Sequence, residues 1–257
     1  MLDAASAAYL EAEPPRVLVL SDIHGHCGLR RALEAARREA PVSALVLLGD
    51  AWEAGGGHGG CQEWRAMVSR LARLSGARYV VYIEGNHDGG AGRCLEGVAR
   101  VVEGYYTLPG SDYAYVLTHG HLYARRELEE CLWSRGFTTP ESDGCVVEWG
   151  RRVRRLLGLP AGEWLILGHT HRLLVDERAR VIHAGALCER VLSRLSLDWR
   201  RSLGYLVVRD SWVEIRRLAP DGRVVASTHA GPPGGAGPRR RGRGLVGRLL
   251  ARLRARP

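Results

Sequence analysis

The chain has 257 residues, 46% of them hydrophobic, enough for one domain with a sizeable core or for two small ones. All 37 Lys+Arg residues are Arg, and the formal charge of +9 is unevenly placed, with eight Arg and no acid in residues 231–257. The tail therefore holds +8 and residues 1–230 hold +1, which excludes a strongly basic main body and assigns any attraction to nucleic acid or anionic lipid mainly to the tail.

Asn, Gln and Phe each occur once, as Asn86, Gln62 and Phe137. A GC-rich genome is the first reading of this bias, and a thermophilic origin would deplete Asn, Gln and Met as well. The six cysteines (27, 61, 94, 131, 145, 188) form no C-x-x-C pair, so reduced, buried thiols in a cytosolic protein are expected. A disulfide stays open for a hyperthermophile. The start, Met1-Leu2-Asp3-Ala4-Ala5, lacks the basic n-region and apolar core of a signal peptide. No stretch approaches the ~20 apolar residues needed to span a bilayer. A cytoplasmic setting is expected, with peripheral membrane contact through the tail as an alternative.

Val17–Leu20 is an apolar run expected as a buried strand, ending at Ser21-Asp22. Leu29–Glu39 has helical spacing, with Pro41 beyond it. Ala44–Leu48 is a second strand ending at Gly49-Asp50, Trp64–Leu74 a second helix, and Tyr79–Ile83 a third strand ending at Glu84-Gly85-Asn86. This alternation predicts an α/β fold with a partly parallel sheet, in which ligands gather at the carboxyl ends of strands. Tyr113–Thr118 runs into His119, and Trp164–Leu167 runs into Gly168-His169. Val181–His183, Gly204–Val208 and Trp212–Arg216 read as further strands, the last two as a hairpin about Arg209-Asp210-Ser211.

Between two of these motifs, residues 122–162 read as two amphipathic helices joined through Thr138-Thr139-Pro140, placed to overhang the site as a cap; two ordinary packing helices would give the same pattern. From Ala230 the composition turns to Gly and Pro, a linker into an Arg-rich tail with Leu245, Val246, Leu249, Leu250 and Leu253 on one stripe. Such a stripe suits an interfacial helix or a nucleic-acid- or partner-binding arm, and equally a disordered basic end. The division expected is a main domain over 1–230 and a linker plus tail over 231–257.

The chemistry lies in five segments that each follow a strand: Asp22-Ile23-His24, Gly49-Asp50, Gly85-Asn86-His87-Asp88, His119-Gly120-His121 and Gly168-His169-Thr170-His171. They offer carboxylates (Asp22, Asp50), a carboxamide (Asn86) and imidazoles (His24, His119, His169, His171). Two metal ions ~3.5–4 Å apart can neutralise phosphoryl oxygens and generate a nucleophile at neutral pH. Imidazole and carboxylate suit Mn, Fe, Co, Ni or Zn better than an all-oxygen Mg or Ca site.

These segments resemble the calcineurin-like metallophosphoesterase superfamily, whose pattern is D-x-H, G-D, G-N-H-[DE], H and G-H-x-H, over about residues 16–230. The resemblance implies a four-layer α/β/β/α sandwich. It implies that Asp22, His24 and His171 hold one metal and Asn86, His119 and His169 the other. Asp50 would bridge both, together with a water or hydroxide that acts as the nucleophile. It casts His87 as the residue that contacts the scissile phosphate and protonates the leaving oxygen. A carboxylate three residues after the bridging Asp often orients that His, which points to Glu53. Mn is the first expectation, with Fe, Zn, Co or Ni as alternatives.

His26 and His121 stand beside ligands and could touch substrate or simply pack. His58 reads as a loop residue. Asp88 could support a ligand or N-cap a helix. His183 falls where many relatives carry Asn in an N-x-G segment. The insert is similar to that of the UDP-2,3-diacylglucosamine pyrophosphatase branch, although that branch has H-G-D where this chain has His119-Gly120-His121. The substrate expected is a nucleotide or lipid-linked small molecule, cleaved by a phosphodiesterase, pyrophosphatase or phosphatase. The alternatives are a nuclease recruited to DNA or RNA through residues 239–256, or a non-catalytic scaffold; those same residues could instead meet an anionic membrane. Nothing in the sequence reads out the oligomeric state.

Overall fold

The computed structural model describes residues 16–52, 60–110, 113–135, 140–189 and 198–231. Glu53, His58 and the tail therefore lie outside the described residues.

The chain opens with β1 (Val17–Leu20), α1 (His26–Glu39), β2 (Ala44–Leu48), α2 (Cys61–Ser75) and β3 (Tyr79–Ile83). A short α3 (Ala91–Cys94) leads to β4 (Arg100–Val102), β5 (Tyr105–Pro109) and β6 (Ala114–Thr118). Next come α4 (Arg125–Arg135), α5 (Pro140–Leu156), β7 (Trp164–Leu167), β8 (Leu173–Asp176) and β9 (Val181–Ala184). β10 (Gly204–Val208), β11 (Val213–Leu218) and β12 (Val224–Ala230) close the described fold. Seven strands form one sheet in the order β12-β11-β10-β1-β2-β3-β4, and five form the other in the order β5-β6-β7-β9-β8.

The period of two along β1 shows why four layers result. Leu18 and Leu20 pack outward with Ala32, Ala35 and Ala36 of α1 and Val68 and Leu71 of α2. Val17 and Val19 pack inward with Leu117, Ile166 and Ile182 of the second sheet. On that sheet's far face Val116, Leu165, Leu167 and Val181 bury against Val146, Trp149 and Val153 of α5 and Leu128 of α4. The order is thus α/β/β/α, as the resemblance implied. Strands buried on both faces read as unbroken apolar runs, which is why β1, β2 and β7 were visible in the sequence.

The insert helices supply the fourth layer rather than a free-standing cap. Trp149 is the part of them that reaches the ligands, with its ring 6.1 Å from that of His169. Leu122, Trp133 and Leu156 are the exposed large apolar side chains of this region among the described residues.

The cysteines correct the expectation of reduced thiols. Cys27–Cys188, Cys61–Cys94 and Cys131–Cys145 are disulfides, and no cysteine is free. Their Cα separations of 5.0, 4.7 and 5.8 Å fall in the bridging range of about 4.4–6.8 Å. Spacing along the chain hid them, since Cys27 and Cys188 are 161 residues apart. With the thiols paired, cysteine usage no longer argues for a reducing compartment. No helix among the described residues is long and apolar enough to cross a membrane.

Candidate metal centre

β1, β2 and β3 run parallel, as do β6 and β7, so the five motifs leave their strands at one end of the sandwich. The turns there are tight. Asp22, His24, Asp50, His169 and His171 all have positive φ, between 48° and 66°. Each such residue costs of order 1–3 kcal/mol and persists only where its surroundings over-determine it. Here they do: Asp22 N donates to Gly49 O (3.1 Å), His24 N to Asp50 O (2.9 Å), and Leu187 N to Asp22 O (3.1 Å). Two motif glycines are also required by space. A Cβ on Gly49, itself at φ 79°, would strike the His119 ring, and one on Gly85 would strike the Asp50 carboxylate.

Two groups of side chains converge. In the first, His171 Nε2 lies 3.0 Å from Asp22 Oδ1 and 3.4 Å from His24 Nε2. The other oxygen of Asp22 accepts from Ser21 Oγ and from His169 N at 3.3 Å, leaving Oδ1 to face the imidazoles. In the second, Asp50 Oδ2 lies 3.3 Å from His119 Nε2, with His169 in the same group. Asn86 Oδ1 is 3.2 Å from His119 Nε2. His119 Nδ1 is 3.0 Å from Leu48 O, a contact that places a proton on Nδ1 and presents Nε2 to a metal. All seven residues named from the sequence meet in this region, and the donor set of imidazoles, carboxylates and a carboxamide fits divalent transition metals.

The electrostatics fit a cation as well. Burial opposes the charge of Asp50, yet the hydrogen bond and charge of His119 outweigh it and hold the carboxyl below its usual range. Burial likewise disfavours protonated His119, but Asp50 pushes it up to about 9. Burial, then the His119 charge, pushes His169 down to about 3. Asp22 is held low by His171 against its own burial, and burial lowers His24. His119 thus supports the charge of Asp50 and His171 that of Asp22, roles a divalent ion would take over.

The remaining candidates separate clearly. His87 is half-exposed; its backbone N donates to Asp50 Oδ1 at 2.9 Å and its Nε2 lies 4.0 Å from Asp50 Oδ2. Asp88 is buried and caps no helix, since α3 begins after Gly90. Its carboxylate accepts from Asp50 N (2.6 Å), Gly85 N (2.8 Å) and Trp52 N (3.3 Å), tying the β2 and β3 loops together. Burial, then the Asp50 charge, pushes Asp88 up to about 6. His121 has its ring 5.3 Å from that of His119, and burial and that neighbour push it down to about 4. His26 is exposed, edge-on to Trp52. His183 is 0% exposed beneath Gly150, so no substrate touches it; its Nδ1 lies 3.3 Å from Thr170 Oγ1. Sequence reasoning missed Ser21, Thr170, Trp149 and Leu187, none of which carries a distinguishing local pattern.

Residues 15–173 match the calcineurin-like phosphoesterase family, and the chain belongs to it. Among solved structures, the Escherichia coli phosphoesterase YfcE aligns with a TM-score of 0.51 and 19% identity, over 83% of this chain and 98% of that one. Vacuolar protein sorting 29 from Cryptosporidium parvum aligns with a TM-score of 0.53 and 18% identity, over 85% and 99%. At these identities the likeness concerns the fold. No curated protein matches the sequence.

Proposed function

We propose that the chain is a phosphoester hydrolase working with two divalent metal ions, Mn first among them, on a small nucleotide or lipid-linked phosphodiester, pyrophosphate or monoester. The observation that carries this reading is the pair of ligand groups, one around Asp22, His24 and His171 and one around Asp50, His119 and His169. Asn86 lies beside the second group, and Asp50, a member of it, would bridge to the first. Two ions held there would neutralise the phosphoryl oxygens and lower the pKa of an attacking water.

The chain's own residues supply the rest. Asp50 accepts from the His87 backbone N, and the half-exposed His87 ring beside it is our assignment for the group that protonates the leaving oxygen. His121 lies beside His119 and His169, and His26 beside Trp52. The insert, with exposed Leu122 and Trp133, is our assignment for the surface that meets the organic part of the substrate. Deleting the insert would uncover the second sheet's outer face, so Leu122→Ser and Trp133→Ser are the cleaner probes of that assignment.

The test uses metal-stripped protein reloaded with Mn, assayed on p-nitrophenyl phosphate, its bis ester and its thymidine 5′-phosphodiester. His87→Ala should lower kcat by about 10²–10³-fold, within the range of general-acid catalysis, while metal content stays at two ions. The loss should grow as the leaving group becomes more basic. No turnover by wild-type protein with two metals bound would sink the reading. Removal of residues 231–257 should leave kcat/KM for small esters unchanged. A steep, salt-dependent loss of nucleic-acid cleavage on the same truncation would favour the nuclease instead.

A further inference from the structure

Beyond the metal centre, a second cavity of about 210 Å³ opens at the β8 edge, lined by Asp143, Arg172, Leu173, Leu174, Arg201 and Arg217. It lies at the ligand end of the sheet. Leu173 pairs with Ala184 at the end of β9, and the neighbouring His183 pairs with Leu167, from which the chain turns into His169 and His171. Arg172 directly follows His171, but its side chain runs toward the start of α5.

Among the described residues, the charged groups lining this cavity are mostly cationic. Arg172 is 4% exposed; it donates to Ser142 Oγ at 2.8 Å and pairs with Asp143 at 3.4 Å. Arg201 uses the same Asp143, at 3.0 Å. Arg217 has no carboxylate partner among the described residues; it donates to the carbonyls of Arg200 (2.9 Å) and Leu173 (3.3 Å). Asp198 is also near Arg172 but sits beside Arg200. Among the described residues, three guanidinium groups and one carboxylate, Asp143, line this space. Burial pushes Arg217 below the usual arginine range, a cost that a bound anion would offset. A structural salt bridge between α5 and β8 accounts for Arg172, Asp143 and Arg201. It leaves Arg217, on a different sheet, unexplained. Whole small molecules need cavities of ~300–1,000 Å³, so this one is sized for a group rather than a molecule. Planar guanidinium forks suit a phosphoryl group.

We propose that Arg172, Arg201 and Arg217 form a second anion site that binds a phosphoryl group without metal. The group is either a second phosphate of the substrate or free phosphate, and in the first case the proposal rests on the hydrolase reading above.

Inorganic phosphate titrated into metal-stripped full-length protein, followed by calorimetry, tests the site apart from the metal centre. Wild-type protein should bind saturably. Arg217→Ala and Arg201→Ala should each weaken binding at least about tenfold, with Arg217→Lys intermediate because it keeps charge but loses the fork. The Arg-rich tail is common to all four proteins and cancels in the comparison. Circular dichroism and thermal unfolding establish that each variant is folded, and the exposed Arg201 keeps the test open should Arg217→Ala misfold. Unchanged phosphate affinity in both alanine variants, or no saturable binding in wild type, would overturn the proposal.

A second arm separates the sources. With Mn restored, kcat/KM is compared on the thymidine 5′-phosphodiester, with one phosphate, and on a dinucleoside pyrophosphate, with two. A selective loss of at least about tenfold on the pyrophosphate in Arg217→Ala assigns the site to the substrate's second phosphate. Equal rates on both, with phosphate binding lost, assign it to free phosphate. Phosphate binding without turnover of either ester would fail the hydrolase reading and keep the site.

Discussion

The two halves of the proposed metal centre are built differently. The group around Asp50 and His119 is oriented by its own motifs: Leu48 O fixes the His119 ring, Asp88 gathers the Asp50, Gly85 and Trp52 amides, and Asp50 receives the His87 amide. The group around Asp22, His24 and His171 leans on a remote strap. Leu187 N donates to Asp22 O, Arg31 reaches Leu187 O and Glu189, and Cys27 is bridged to Cys188. The first half is held by residues one to three positions from a ligand, and the second also by residues 187–189, remote in sequence from Asp22 and His24. A motif can therefore carry the support of one half but only the ligands of the other.

Removing one ligand from each half sharpens the contrast most. Asp50→Asn should cut kcat/KM by at least about 10³-fold, roughly 4 kcal/mol of barrier, and empty both metal positions, because Asp50 is the proposed bridge. His24→Gly keeps the left-handed backbone that His24 needs (φ 50°) and should release one metal while the second stays. Metal analysis by emission spectrometry reads both. Equal loss in the two variants would mean that the halves are not separable.

The strap comes next. Replacing Cys27 and Cys188 by Ala should cost about 2–4 kcal/mol in denaturant unfolding, as expected for a bridge closing a long loop. It should weaken one metal and spare the other. Loss of both metals in parallel would place the bridge's role in the fold as a whole.

On the opposite half, Asp88→Asn keeps the shape but weakens an acceptor shared by three backbone amides. Loss of such a supporting partner lowers metal affinity by roughly 10–100-fold, here expected for the Asp50–His119 metal. Competition with a coloured chelator would show it. An unchanged affinity would mean that the backbone holds Asp50 without help.

The legibility of the sequence follows the same division. The seven proposed ligands and His87 were readable because each sits in a short motif at the end of an apolar strand. β4, β5, β8 and β12 were not readable: they are short or at edges, and their partly exposed residues blur both the apolar run and the alternation. β11 begins at Val213 rather than Trp212, whose ring stacks edge-on with His229 of the neighbouring strand. Leu187 and the disulfide partners gave no signal because their roles exist only between separate stretches of chain. The insert was readable as helices, but what they cover depends on Trp149 and Val153 meeting β7, which spacing alone does not reveal.

The smallest expected effect concerns His183, a residue that belongs to neither half yet touches the loop joining them. It is wholly buried, lies against Thr170 between the two ligating histidines, and burial pushes it down to about 3. In the unfolded chain the imidazole titrates near 6.5. Below that pH the unfolded state therefore binds a proton that the folded state refuses, and stability falls as acid is added. The slope is at most ~1.4 kcal/mol per pH unit for one such group, present above the unfolded value and lost progressively toward the folded one. His183→Asn keeps an amide for Thr170 and cannot titrate. Its urea unfolding, measured on metal-free protein between about pH 6 and pH 4.5, should show a shallower acid limb than wild type by up to that slope. The other buried histidines titrate in both proteins and cancel in the difference. Parallel limbs would mean that His183 takes up its proton in the fold, and that the space beneath Gly150 is wetter than its burial indicates.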